Sequence, residues 1–261
     1  MAQKSDPNQP KQERIAKRLA RAGVASRRGA EAMIQEGRVR VNGVRIDSPA
    51  LNVGPDDRIE FDGTPLAAAE PTRMWRYHKP AGLVTTASDE KGRPTVFDRL
   101  PAEMPRVVSV GRLDLSSEGL LLLTNDGALK RRLELPATGW LRRYRVRARG
   151  HAEEKVLEPL RAGLTVEGER FRPMTVTLDR QQGANAWLTV GLREGRNREI
   201  RRGFEAVGLE VNRLIRISYG PFQLGDLAEG AVEELRGKVL RDQLGTLLER
   251  DPEPRSRAKR R

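Results

Sequence analysis

The 261-residue sequence contains no cysteine and only two histidines, His78 and His151. The absence of cysteine excludes disulfides, cysteine-liganded zinc, iron–sulfur clusters and thiolate nucleophiles. Two histidines are too few for a histidine-rich metal site. The sequence also lacks the glycine-rich phosphate loop, the dinucleotide-binding loop and the nucleophile elbow of hydrolases. Any chemistry must therefore rest on carboxylates, arginines, tyrosines and the backbone, with no cofactor and no metal.

Long hydrophobic runs are missing as well. No apolar run approaches the ~18 residues that span a bilayer, and residues 1–10 contain no hydrophobic segment like that of a signal peptide. These absences predict a cytoplasmic protein without membrane contact, and a monomer is the default expectation. Hydrophobic residues make up 37% of the chain, below the ~45–50% of typical domains. The shortfall favours disordered polar ends, which we place at residues 1–10 and at the basic residues 251–261.

Positive charge is abundant and unevenly placed. Lysine and arginine number 49 against 36 acidic residues, which gives a net charge of +13. Residues 11–45 hold ten basic and three acidic residues, and residues 130–149 hold eight basic and one acidic. Because a merely soluble surface mixes both signs, this clustering favours a polyanionic partner such as a nucleic acid.

The first basic region has the pattern of two short helices followed by a hairpin. Apolar residues recur at helical spacing from Lys11 until Gly23 closes the segment. Ser26 is a good N-cap for a second helix, which ends before Gly37. Asn42-Gly43 then supplies a hairpin turn between two alternating strands. The sequence therefore predicts a small αα-β module.

Two segments of this module, residues 22–28 (AGVASRR) and 34–43 (IQEGRVRVNG), resemble the S4 RNA-binding domain. The resemblance assigns residues 11–70 to an S4 domain that docks on folded RNA through its second helix and the loop into the hairpin. The basic positions implied to contact RNA are Arg14, Arg18, Arg21, Arg27, Arg28, Arg38 and Arg40. A basic module that serves protein contacts is the alternative.

Beyond a linker at residues 67–71, a second domain is predicted over residues 73–248. Apolar patterns predict strands at residues 74–77, 107–110, 120–123, 144–148, 174–178, 187–192 and 211–217. Helical spacing predicts helices at residues 153–161, 197–206 and 235–248, and Asn125-Asp126-Gly127 predicts a tight turn. This order predicts an α+β fold with a mainly antiparallel sheet.

The most informative stretch of the second domain is residues 111–121 (GRLDLSSEGLL). It places Arg112 and Asp114 two residues apart in a loop between predicted strands, and loops held by a rigid sheet often carry catalytic groups. By itself this pattern is weak, because an aspartate in a loop is more often a turn cap. Tyr144, on an alternating strand, is likewise more often a core residue.

In context, this stretch resembles the signature of the pseudouridine synthases, the RsuA/RluB branch in particular. Further segments that agree with the family, in order, are residues 77–82 (YHKPAG), 92–101 (GRPTVFDRLP), 143–146 (RYRV), 194–202 (EGRNREIRR) and 214–216 (LIR). Residues 79–100 resemble the large-subunit type of this branch more than the small-subunit type. The resemblance runs from residue 11 to residue 240.

The resemblance implies an isomerase that converts a specific uridine to pseudouridine in ribosomal RNA, with large-subunit (23S) rRNA or a pre-ribosomal particle as partner. It implies that Asp114 is the nucleophile and that Tyr144 stacks on the target base. Arg201 would pair with the Asp114 carboxylate, although Arg196 and Arg198 lie close to it in sequence. Arg112 would support the flipped-out nucleotide. Further implied RNA contacts are Lys79, Arg196 and Arg198.

This reaction agrees with the composition, because it is redox neutral and needs no external group. It breaks the N1–C1′ bond, turns the uracil and joins C5 to C1′. A carboxylate near the sugar can attack C1′, stabilise positive charge or take part in proton removal, so the residue type leaves the mechanism open. Extruding the nucleotide costs a few kcal/mol, which stacking on an aromatic ring, worth roughly 1–3 kcal/mol, can offset.

Two other functions stay open on the residues alone. A noncatalytic rRNA-binding or assembly factor would use both basic regions and a degenerate second domain, but the intact Arg112-Leu113-Asp114 and Tyr144 argue against it. A nucleic-acid hydrolase would need several carboxylates around a metal, and the sequence shows no such cluster. Four arginines within residues 196–202, at the start of a predicted helix, oppose the helix dipole. They indicate an anion nearby.

Overall fold

The computed structural model describes residues 12–68 and 70–249. The predicted tails at residues 1–10 and 251–261 lie outside the described residues. The chain separates into two compact units, one up to Thr72 and one from Arg73. The assignment of these units to the predicted domains remains a prediction. No helix among the described residues is long and apolar enough to cross a membrane.

The first unit packs two helices against short strands. Its elements are β1 (Glu13–Arg14), α1 (Ile15–Arg21), α2 (Arg27–Gln35), β2 (Val39–Val41), β3 (Val44–Arg45), β4 (Asn52–Val53), β5 (Ile59–Phe61) and β6 (Thr64–Pro65). Ser26 Oγ accepts a hydrogen bond of 2.9 Å from the Gly29 amide, which confirms the predicted N-cap of α2. Ile15, Leu19 and Ile34 are fully buried between the helices and the sheet.

The predicted hairpin turn of the first unit is confirmed. Asn42 and Gly43 both have positive φ, at 52° and 80°, as a two-residue turn between antiparallel strands requires. The Asn42 side chain also donates to Asp57 at 2.8 Å, which ties the turn to the next loop. The sheet runs in the order β3-β2-β5-β6, with antiparallel neighbours.

The second unit is built on one large sheet. Its strands are β7 (Met74–Lys79), β8 (Val108–Val110), β9 (Glu118–Thr124), β10 (Arg142–Arg149), β11 (Thr165–Val166), β12 (Glu169–Arg170), β13 (Thr175–Gln182), β14 (Asn185–Leu192), β15 (Glu210–Tyr219), β16 (Phe222–Gln223) and β17 (Val232–Glu234). The large sheet has the order β13-β14-β10-β15-β9-β7-β17, and β16 and β8 pair with β15 and β9. Among the described strand pairs of this sheet, only β9 and β15 are parallel. The predicted α+β fold with a mainly antiparallel sheet is confirmed.

Helices pack on both faces of this sheet at β9 and create two hydrophobic cores. They are α3 (Gly127–Glu134), α4 (Glu154–Ala162), α5 (Glu199–Ala206), α6 (Gly237–Leu244) and α7 (Thr246–Glu249). One core joins α4 and α5 to Leu121 and Leu123 of β9, and the other joins α3 and α6 to Leu120 and Leu122. The strand is therefore buried on both faces, as its continuous leucine run predicts.

Three predicted boundaries differ from the structure. The turn predicted at Asn125-Asp126-Gly127 is the start of α3, because Asp126 caps the helix by accepting from the amides of residues 128 and 129. The predicted terminal helix is interrupted at Gly245, where φ is +43°. Helix α5 begins at Glu199 rather than residue 197, because Arg198 has left-handed backbone angles.

Candidate active site

The loop between β8 and β9 presents Asp114 from a rigid base. Leu113 is buried in the core, and its backbone is fixed at both ends by the hydroxyl of Thr85. Thr85 Oγ1 donates to the Leu113 carbonyl at 2.8 Å and accepts from the Leu113 amide at 3.3 Å. The next side chain along the loop, Asp114, is partly exposed. The loop therefore holds the carboxylate at the surface while its backbone is anchored in the core.

Three cationic side chains hold the same loop by its carbonyl groups. Lys79 Nζ donates to the Ser117 carbonyl at 2.8 Å, and Arg201 Nη2 donates to the Ser116 carbonyl at 3.1 Å. Arg216 Nη1 donates to the Arg112 carbonyl at 3.3 Å. The cations come from β7, α5 and β15, so three separate elements fix the loop. Two of them, Lys79 and Arg201, interact electrostatically with the Asp114 carboxylate.

The structure corrects the prediction that Lys79 contacts RNA. Its side chain is completely buried, and its ammonium group also donates to the Pro80 carbonyl at 2.9 Å. Burial lowers the pKa of Lys79 from 10.5 to about 8, and the nearby carboxylates of Asp114 and Glu118 act in the opposite direction. A buried ammonium group that is already bonded to backbone carbonyls has no free face for a phosphate. Lys79 therefore supports the Asp114 loop.

A cavity of about 460 Å³ opens beside Asp114, within the ~300–1,000 Å³ range of small-molecule sites. It brings together five residues predicted for the site: Arg112, Asp114, Tyr144, Arg196 and Arg198. Tyr144 lies on the buried face of β10, with 8% of its surface exposed. The loop, the sheet and the segment before α5 thus each contribute side chains to one cavity, although the roles of these residues remain predictions.

Arg201 contacts the Asp114 loop and is not one of the residues that line the cavity. Its guanidinium donates to the Val211 carbonyl at 2.6 Å as well as to Ser116. Burial lowers the pKa of Arg201, as does the neighbouring Arg198, while Asp114 raises it. Within residues 12–68 and 70–249, no ion pair of 4.0 Å or less joins Asp114 to a cation. The pairing of Arg201 with the Asp114 carboxylate therefore stays a prediction, since the described residues show only an electrostatic effect of Asp114 on Arg201 and no ion pair.

The anion predicted near residues 196–202 is in part supplied by the protein. Glu169 lies 2.6 Å from guanidinium nitrogens of both Arg196 and Arg202, and Glu194 lies 3.2 Å from Arg196. Arg198 differs, because it is exposed, lines the cavity and forms no ion pair with the described residues. Its positive φ of 47° directs the chain sharply into α5. Arg198 is therefore an exposed cation without a carboxylate partner among the described residues, whereas Arg201 is bound to backbone carbonyls.

Arg216 is a site residue that the sequence interpretation did not select. It is 3% exposed, lines the cavity, and donates from Nε to the Leu120 carbonyl at 2.7 Å. Its Nη2 atom is buried without a hydrogen-bond partner. A buried guanidinium nitrogen without an acceptor is costly, so the geometry favours an anionic ligand group beside it. The segment LIR at residues 214–216 was the available signal in the sequence.

In the first unit, the predicted RNA-contacting arginines fall into two groups. Arg27, Arg28 and Arg40 are exposed and form no ion pair with the described residues. Four others have partners within the unit: Arg14 donates to the Ala50 carbonyl, Arg18 and Arg21 lie near Glu13, and Arg38 pairs with Asp62 at 2.6 Å. The three unpaired arginines are the better candidates for phosphate contacts.

Glu199 and Glu194 form a carboxyl pair next to the cavity. Glu199 is 4% exposed, and its Oε2 accepts from the Arg196 amide at 3.0 Å. Burial, and after it the hydrogen bond with Glu194, together raise the pKa of Glu199 from 4.5 to about 7. Glu194 accepts from the Arg172 amide at 2.7 Å, and its pKa is lowered by its hydrogen bonds despite its partial burial. The pair therefore retains one proton up to neutral pH.

This pair predicts a pH-dependent stability. Between pH 4.5 and about 7 the folded state binds more protons at Glu199 than the unfolded state, so stability falls as pH rises through this window. A Glu199→Gln variant keeps a permanent donor toward Glu194 and carries no charge. We expect it to be more stable than the wild type by about 1–3 kcal/mol at pH 8 and nearly equal at pH 4.5. Urea unfolding at both pH values measures the difference.

The exposed Glu205 on the same helix provides the control. Glu205→Gln should follow the pH dependence of the wild type. If Glu199→Gln does so as well, the pair does not hold the proton that we assign to it.

The family model described as RNA pseudouridylate synthase matches residues 73–206, and the model of the S4 domain matches residues 13–59. An RNA pseudouridine synthase of Rickettsia felis is 47% identical over 228 residues, which are 87% of this chain and 99% of the relative. The chain belongs to the RNA pseudouridine synthase family. It is an isomerase that carries an S4 RNA-binding domain, as the sequence motifs predict.

Other relatives agree with this assignment. Ribosomal large subunit pseudouridine synthase B of Yersinia pestis is 42% identical over 248 residues, covering 92% of this chain and 78% of the relative. The crystal structure of a pseudouridylate synthase superposes with a TM-score of 0.63 at 26% identity, covering 88% of this chain and 99% of that chain. Among the described residues, no group of three or more His, Asp or Glu side chains could hold a metal ion.

Proposed function

We propose that this synthase converts a specific uridine of large-subunit (23S) ribosomal RNA to pseudouridine, with Asp114 as the nucleophile. The observation that carries the proposal is the cavity in which Asp114, Tyr144 and Arg112 meet. The relative from Yersinia pestis is named for the large ribosomal subunit, and residues 79–100 resemble that type. These two points support the choice of 23S rRNA as substrate.

The geometry fits a reaction on a flipped-out nucleotide. Asp114 attacks C1′ of the target and the N1–C1′ bond breaks. The released uracil turns and attacks C1′ through C5, which breaks the Asp114–C1′ bond and regenerates the free carboxylate. The proton on C5 leaves and N1 gains one, so the product is an isomer of the substrate. A carboxylate is a suitable nucleophile at an anomeric carbon. Because Asp114 is held by a loop that is fixed at several carbonyls, little reorganisation is needed during the reaction.

The remaining cavity residues fit the nucleotide around the reacting atoms. Tyr144 lines the cavity, where its ring can stack on the base and offset part of the flipping cost. Arg198 and the free Nη2 of Arg216 offer donors for a phosphate or for an oxygen of the uracil. Arg112, which lines the cavity and is exposed, supports the extruded nucleotide.

Chemical mapping of pseudouridine in ribosomal RNA tests the substrate. Ribosomal RNA from a strain that lacks this gene and from its parent is compared along both subunits. We expect one signal in 23S rRNA to disappear and to return when the wild-type gene is supplied. A signal lost from small-subunit rRNA instead would contradict the large-subunit assignment, and unchanged rRNA would contradict a ribosomal substrate altogether.

A further inference from the structure

Strand β10 carries arginines on the face opposite Tyr144. Tyr144, Val146 and Ala148 point into the core, while the alternating residues Arg143, Arg145, Arg147 and Arg149 are exposed. Two further exposed arginines extend this surface: Arg213 on the adjacent strand β15, and Arg180 on β13, which lies beyond β14. We call these six residues the arginine face. It lies outside the cavity and has no role in the proposed chemistry.

The strand register places an aromatic ring among these arginines. Arg147 lies directly between Trp187 of β14 and Arg213 of β15, and Arg180 is the partner of Trp187 on its other side. Trp187 is partly exposed, and the guanidinium of Arg145 lies 5.1 Å from its ring centroid. Like charges directly opposite each other, such as Arg147 and Arg213, destabilise a sheet. An anionic partner on this face would remove that cost.

Most of the charge on the arginine face is not neutralised by the protein. Arg145 lies 3.6 Å from Asp179, and Arg213 lies 2.8 Å from Glu118. The other four, Arg143, Arg147, Arg149 and Arg180, form no ion pair with any residue that the structure describes. One further carboxylate, Glu210, is the register partner of Arg149 but makes no ion pair with it. Four uncompensated guanidinium groups therefore line one side of the sheet.

The surroundings favour RNA over a protein partner. None of the large exposed hydrophobic side chains among the described residues lies on this face, whereas protein interfaces need an apolar centre. The neutral neighbours include the polar residues Thr177, Thr189 and Asn212, and the apolar Ile215 opposite Arg145 is only partly exposed. A line of cations with an interposed aromatic ring is the arrangement that binds single strands, whose bases are free to stack.

We propose that the arginine face binds a single-stranded segment of the RNA substrate, away from the nucleotide held in the cavity. The proposal deepens the proposed function, since the same RNA would contact both sides of β10. Residues in a strand repeat at roughly 3.3 Å, so the four arginines of β10 extend along about 20 Å of backbone. Such a contact would add affinity without reading the target base.

The test uses the full-length protein with Arg147→Gln, Arg149→Gln and Arg180→Gln combined. The matched control combines Arg131→Gln, Arg236→Gln and Arg241→Gln, which remove the same charge from exposed positions elsewhere. Binding of an RNA oligonucleotide, in single-stranded and in duplex form, is measured over a range of salt concentrations. We expect the first variant to lose at least about tenfold in affinity for the single strand, with a log–log salt slope reduced by about 2. The control should keep the wild-type slope.

Other outcomes overturn the proposal. An unchanged salt slope in the first variant would show that RNA does not contact this face. If the variant instead failed to bind a protein that the wild type binds, that protein would be the occupant of the face. An equal loss for the duplex would show that the face does not select single strands. Turnover on a short stem–loop, which reports on the cavity, should stay within about twofold of wild type. Because binding is measured without turnover, failure of the proposed chemistry is detected separately.

Discussion

Replacing Asp114 by Asn is expected to abolish pseudouridine formation. The amide keeps the size of the side chain but is a far weaker nucleophile, so single-turnover rates should fall by at least about 10⁴-fold. RNA affinity should change little, because the candidate phosphate contacts of Arg198 and Arg216 are untouched. Both quantities are measured on the same RNA, the first by pseudouridine formation and the second by equilibrium binding.

The structure explains why this substitution should remove the chemistry and leave the site intact. The bonds from Lys79, Arg201 and Arg216 reach backbone carbonyls of the loop and not the carboxylate itself. The loop should therefore keep its position when the charge is lost. Asp242→Asn, the same change at an exposed position of α6, is the control and should retain full activity. Turnover by Asp114→Asn at a rate near that of Asp242→Asn would refute the nucleophile assignment.

The parts of the fold that were predicted are those encoded by local patterns. Helix α2 was predicted from its cap at Ser26, the hairpin from Asn42-Gly43, and β9 from its leucine run. Each of these signals is contained in a few consecutive residues, and it determines either the local backbone geometry or which side chains are buried. The loop with Arg112 and Asp114 was predicted from its sequence motif. The motif and the two strands that flank it are adjacent in the sequence, so this signal is local as well.

The parts that were missed depend on contacts between distant segments. Lys79 looks like a surface cation in the sequence. It is buried because its ammonium group bonds to carbonyls of the Asp114 loop, nearly forty residues away. Arg216 becomes part of the cavity only when β15 pairs in parallel with β9. Asp126 looked like a turn residue, because the same side chain favours a turn or a helix N-cap. A local pattern cannot separate these outcomes.

The two faces of β10 show that a local pattern also cannot predict which charged side chains are paired. Alternation predicted a half-buried strand, but it could not say which arginines find partners. Arg145 pairs with Asp179, whereas Arg147 and Arg149 remain without an ion pair among the described residues. Net charge in a sequence window therefore overstates the free cations, and the sheet register is needed to locate them.

Gly119→Ala is expected to be the most destabilising single methyl addition at the site. Gly119 has φ of +100°, and a Cβ atom there would lie 2.4 Å from the carbonyl oxygen and 2.7 Å from the amide nitrogen of Arg216. These are backbone atoms in the parallel β9–β15 ladder and cannot rotate away. Strain and overpacking together predict a loss of about 3–5 kcal/mol, which should lower Tm by roughly 6–20 °C.

Gly127→Ala is the matched control, because a Cβ atom at Gly127 meets no atom within 4 Å and its φ is not positive. This variant should unfold within about 2 °C of the wild type. Since Gly119 lies between the Asp114 loop and Arg216, any folded Gly119→Ala protein should also lose turnover more than RNA affinity. Equal Tm values for the two variants, measured by thermal unfolding, would show that the backbone at the β9–β15 contact can move apart at little cost in stability. In that case the parallel pairing could not be what fixes Arg216 beside the candidate nucleophile.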